Sequence, residues 1–205
     1  SDEDFPLLKA VHEAVPAICA DSSIGIIRGA IGSMPDAPKL NASTERDALL
    51  TAGEEALLGF TLSNNYYSGT IYNRSLLEKY ELLERLEINL QTHVSYPHLY
   101  LEISACALCD VKTMSAEICI EGEPQQEGQD QPGPATYHPG TYSFGGRVDQ
   151  FFLLRDAYRE AISLIDDGFD TLLFVMNYLR LCEKYCYLVT YVNAPTYANH
   201  GIHPE

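Results

Sequence analysis

The apolar residues of this 205-residue chain recur at two different spacings, and that pair of periods limits the fold more than any other feature. Helices repeat their buried positions every three to four residues, and strands every two. Leu7, Leu8, Val11, Val15 and Ile18 follow the helical step. They predict a half-buried helix from Phe5 to about Cys19, closed or kinked by Pro16. Ile24 to Ile31 is apolar and Gly-spaced, and the period leaves its type open. Thr44 stands three residues before Asp47, and Ser75 three before Glu78. A hydroxyl and a carboxylate at that spacing cap a helix reciprocally, so helices are expected through Ala48–Phe60 and Leu76–Leu86. Between them, Ser63 to Tyr72 reads as a loop or short hairpin.

From His98 the spacing turns to two. Leu99, Leu101, Ile103 and Ala105 alternate with Tyr100, Glu102, Ser104 and Cys106, and Ala116, Ile118 and Ile120 with Glu117, Cys119 and Glu121. The expected element is a hairpin of strands 98–109 and 114–121, turning at Asp110–Thr113. Residues 122–147 follow as a long irregular loop without apolar periodicity, a kind of segment that is functional or disordered. Val148, Phe151, Leu154, Tyr158, Ile162 and Ile165 mark the strongest helix, with Gly168 as its stop. Asp170 caps another through Leu172, Val175, Met176 and Leu179, and Tyr185–Val192 reads as a last strand. The fold class is therefore α+β, one globular domain over 1–205. Four or five amphipathic helices pack on a small, mostly antiparallel sheet of 98–109, 114–121 and 185–192.

Charge removes several functions. The formal net charge is −16, from 29 acids against 13 bases, and the bases stand singly, as at Lys39, Arg46, Arg74, Lys79 and Arg147. A nucleic-acid partner is excluded, because counterion displacement from phosphate needs clustered Lys and Arg, and so is docking to an anionic membrane. No apolar run is long enough for a transmembrane helix, and the acidic start Ser1–Asp4 lacks a signal-peptide pattern.

Six cysteines form an even set: Cys19, Cys106, Cys109, Cys119, Cys182 and Cys186. With the sequons at Asn41 and Asn73, they point to a secreted glycoprotein held by three disulfides. Cys106 and Cys109 face opposite sides of an extended strand, so a long-range bridge to Cys19 or to Cys182/Cys186 is expected.

Recognised chemistry is sparse. Cys106-Ala-Leu-Cys109 lacks the following helix that lowers a redox thiol's pKa. His93, His98, Cys106 and Cys109 have poor zinc spacing, with Pro97 between the histidines. Asp166-Asp167-Gly168-Phe169-Asp170 begins like a calcium loop, but its twelfth position is Asn177. No nucleophile or phosphate-binding motif occurs, and no cofactor or metal is expected. Tyr137, His138, Tyr142 and Phe144 in the long loop have the composition of a recognition surface. The expected function is a non-catalytic secreted or surface-exposed interaction protein, recognition- or antigen-like. It would bind a protein or a small extracellular ligand through those residues. Two alternatives are a secreted hydrolase using paired carboxylates and an intracellular thiol or zinc protein.

Overall fold

The computed structural model describes residues 5–33, 46–63, 68–90, 97–121, 144–165 and 168–192. In chain order these form strand β1 (Phe5–Pro6), helix α1 (Leu8–Ala20), β2 (Ile24–Ser33), β3 (Ala48–Leu50), α2 (Glu54–Gly59) and β4 (Thr70–Tyr72). Then come α3 (Arg74–Lys79), α4 (Leu82–Leu90), α5 (Pro97–Leu108), β5 (Asp110–Glu121), α6 (Phe144–Ser163), α7 (Thr171–Tyr187) and a π-helical turn, Leu188–Val192. The class is mixed α and β, as the two periods require.

The segment left open by its period is the centre of the fold. Strand β2 is buried along its length except at Ser33, because helices cover both of its faces. A strand with no wet side shows no alternation. Ile24 and Ile27 pack with Ala10 and Ala14 of α1 on one face. Ile26 packs on the other face in the main core, with residues of α2, α4, α5, α6 and α7. The sheet order is β1-β5-β2-β4, with β3 also on β5. The three short strands pair antiparallel to their neighbours. The longest pair, β2 with β5, is parallel, from Ile24 level with Asp110 to Ser33 level with Glu121. Gly29 makes that pair possible: a Cβ there would lie 2.0 Å from Cγ1 of Ile118.

Several expectations are corrected. Residues 98–109 are not a strand but the body of α5, which runs without a turn into β5. From Leu99 to Ala107 every residue of α5 is buried, Glu102 and Ser104 included. A helix buried all round carries no amphipathic stripe, so its alternation was accidental, while its Leu and Ala content favours helix. Asp110 opens β5 instead of turning: its carboxylate accepts from Oγ of Ser23 at 2.6 Å and from the backbone N–H of Ala52 at 2.8 Å. Residues 185–192 are not a strand either. They finish α7 and form the π-helical turn, with the Tyr185 hydroxyl donating to Gln150 of α6 at 3.3 Å.

Pro16 lies inside α1, which continues to Ala20. Thr44 lies outside the described residues, and Asp47 serves the sheet, accepting from the Ser115 N–H at 2.7 Å. Helix α2 starts later than expected, after Gly53 at φ 89°. Ser75 sits within α3, whose N-cap is Asn73. Asp170 caps α7 as predicted, accepting from the Leu173 N–H at 2.9 Å.

None of the six cysteines forms a disulfide, so the disulfide-linked framework is not borne out. The sheet lies between Cys19 and the two cysteines of α7. Cys19 is on α1, on one face of the sheet, whereas Cys182 and Cys186 are on α7 beyond the other. Cys106 is buried in α5, Cys109 lies against Gly25 of β2, and Cys119 is on β5 near Gly69.

Candidate functional site

Helix α7 is apolar on both sides. Its inner stripe, Leu173, Asn177, Leu181 and Tyr185, steps by four residues and is buried. The stripe legible in the sequence is the other one: Leu172 is 70% exposed, Leu179 61%, and Val175 and Met176 about 40%. Cys186 and Tyr187 extend it, and Glu183 is the one charge along it. Successive residues turn by about 100°, so these side chains share one outward face over the whole helix.

An aromatic row borders this face. Phe169 packs on Phe174 at 5.4 Å, Phe174 stacks on Tyr178 at 5.9 Å, and Tyr178 meets Phe151 of α6 at 5.7 Å. The row ends at a groove of about 420 Å³ between the start of α6 and the end of α7. Val148, Phe151, Phe152, Cys182, Cys186 and Val189 form most of its wall. Phe152 is 45% exposed, and the Arg155 guanidinium lies over its ring at 4.9 Å. The π-helical turn closes one side of the groove, an irregularity that is common at functional positions.

Half-buried charges hold α7 from within. Arg180 donates to the carbonyls of Leu57 and Thr61 at 3.1 and 3.0 Å, and Lys184 to that of Leu62 at 2.6 Å. Cations thus satisfy carbonyls at and beyond the end of α2. Leu62 has a left-handed backbone, φ 63°, and its N–H meets the carboxylate of Glu102. Thr61 donates to the Leu57 carbonyl at 2.6 Å and accepts from the Tyr158 hydroxyl at 2.6 Å. Arg28 of β2 is 2% exposed and donates to Thr70 at 2.7 Å, while its Nε and Nη2 have no acceptor among the described residues.

Burial lifts the Glu102 carboxyl to about 7, with Arg28 and Lys184 pulling it the other way. Burial likewise draws Lys184 down to about 8, opposed by Glu102. The Tyr72 and Tyr158 phenols are pushed up by the same desolvation. Burial raises the Cys106 thiol, and Glu102 adds repulsion, which is the reverse of what a nucleophilic thiolate needs. Cys109 is pushed up to about 11, again mainly by burial. The cluster acts as a clamp on the 57–62 backbone.

Tyr137, His138, Tyr142 and Asn41 lie outside the described residues, and so does His93. Phe144 is the first residue of α6. Asn73 is half-buried, its amide donating to the Ile24 carbonyl at 3.1 Å. Among the described residues Glu102 is the one buried acid, and no three His, Cys, Asp or Glu side chains gather as a metal site. No described helix is long and apolar enough to cross a membrane. No family model matches the chain, and neither a curated protein nor a solved structure is detectably similar to it.

Proposed function

We propose that this chain is a non-catalytic protein-interaction module whose recognition surface is the outer face of α7 with the adjoining α6/α7 groove. One observation carries the reading: α7 keeps a second, uncovered apolar stripe beside the stripe it buries. Contiguous apolar surface of that extent marks interaction sites in soluble proteins. Tyr137, His138 and Tyr142 stay in the proposal on their composition alone. A secreted, glycosylated location keeps the two sequons as its support, without the disulfides that were to accompany them. The hydrolase alternative is the weaker one. Glu102, the one buried acid among the described residues, is committed to Leu62, Arg28 and Lys184.

A photo-reactive residue at position 179 tests the reading, with the same group at Asp156 on α6 as control. Capture of protein at 179 alone is expected, and it should be competed by unlabelled wild type but not by Leu172→Glu/Leu179→Glu. Equal labelling at both positions, or no competition, would refute it.

A further inference from the structure

We infer that the occupant of this surface is a second copy of the chain, α7 packing antiparallel on its twin about a two-fold axis between Val175 and Met176. The inference rests on the interaction reading above and names the partner. Self-complementarity carries it. An isologous interface needs each projection matched by a recess at the symmetry-related position of the same surface. Here the projection is Phe169, 43% exposed just before α7, and the recess is the apolar groove beside Cys182 and Cys186 near its end. Phe169 and the groove are joined by the aromatic row, so both lie on one flank of the helix.

A two-fold axis across the helices reverses chain direction and keeps that flank on the same side. Each Phe169 is then carried over the other copy's groove. The same axis sets Leu172 against the partner subunit's Leu179. It sets Glu183, the stripe's one charge, beyond the start of the partner's helix, clear of the Leu172–Leu179 contact. Area agrees: the exposed apolar side chains of the stripe and of Phe152 and Phe169 amount to on the order of 700 Å² per copy, close to the roughly 800 Å² of a standard interface.

Charge separates this partner from a basic one. Two copies at −16 each repel at long range, so added salt screens the repulsion and tightens the dimer. A basic partner would be weakened by salt instead.

The test is sedimentation velocity of the full chain from about 1 to 100 µM, at about 50 and 500 mM salt. The expected result is a species of twice 22.8 kDa whose dissociation constant falls several-fold at the higher salt. Leu179→Glu should be monomeric, with the melting temperature that the wild type shows when diluted to monomer, because Leu179 is largely exposed. Register is tested separately: Phe169→Cys, oxidised with diamide, should cross-link between copies, and Cys182→Ser/Cys186→Ser in that background should abolish the link. A dimer that survives Leu179→Glu, or a cross-link independent of those thiols, overturns the proposal. A wild type that stays monomeric at both salts overturns it too, and if position 179 still captures competed protein, the interaction reading stands with another partner.

Discussion

Glu102→Gln is the sharpest probe of the buried cluster, because it removes a titration while keeping the side-chain volume and an acceptor for the Leu62 N–H. In the folded chain burial raises Glu102 from 4.5 to about 7. The unfolded carboxyl therefore ionises first. Between pH 4.5 and 7 the folded state holds the extra proton, and stability falls as pH rises. A shift of that size corresponds to about 3 kcal/mol in all. Lys184 works in the opposite sense. Lowered from 10.5 to about 8, it gives up its proton first in the folded state, so stability rises between pH 8 and 10.5. The wild type should show a trough of stability at about pH 7 to 8.

In Glu102→Gln the falling limb should vanish, leaving the variant more stable than wild type near pH 7.5 by up to about 3 kcal/mol. The rising limb should also begin at lower pH, since Glu102 is the charge that holds Lys184 up. The assay is urea unfolding followed by circular dichroism, from about pH 4.5 to 10, read as variant minus wild type so that exposed acids cancel. A flat difference between pH 4.5 and 7, or a variant less stable at pH 7.5, would show that Glu102 is not held protonated by burial.

Three further outcomes are expected. Gly29→Ala drives a methyl against Ile118 and the Ala116 carbonyl; it should cost about 1–3 kcal/mol, and Ile118→Ala in that background should cost less than it does alone. Equal Ile118→Ala penalties in both backgrounds would deny the contact. Tyr158→Phe should cost about 1 kcal/mol in urea unfolding, because Thr61 keeps its bond to the Leu57 carbonyl; no measurable loss would remove that bond from the account. Thiol titration in denaturant without reductant should count six thiols, and a Cys19–Cys182 or Cys19–Cys186 link in a non-reducing map would contradict the arrangement of α1 and α7 on opposite faces.

Elements with one wet face were the legible ones. Much of α6 follows its period, α1 forms where its period predicts but buries Ala10 and Ala14 and leaves Leu8 and Val15 exposed, and Asp170 caps α7 because its carboxylate meets a free N–H three residues on. Elements without a wet face were not legible. Strand β2 and helix α5 are buried on all sides, so polarity could not report which spacing their backbones follow. The stripe of the candidate site was legible as a helix and not as a site. Leu172, Val175, Met176 and Leu179 do form a helical stripe, yet the described fold buries Leu173, Leu181 and Tyr185 instead. Period identifies an apolar face without saying which molecule covers it. The Glu102 cluster gave no local signal, since its members stand on β2, α5 and α7 and meet only through the fold.

The parallel pairing of β2 with β5 also sets a schedule for synthesis. Ser23 and Asp110, bonded at the start of that pair, lie 87 positions apart. At translation speeds of 5–20 residues per second, β2 waits about 4–17 s for its neighbour to be made. During that interval α1 can cover one face of Ile24–Ser33, while the other face and its backbone groups stay open to any strand nearby. Arg28 sits in the middle of this segment. A charge inside a naked apolar strand discourages edge-to-edge pairing with other nascent chains. The guanidinium that is awkward to bury in the finished protein is thus the strand's protection while it is unfinished.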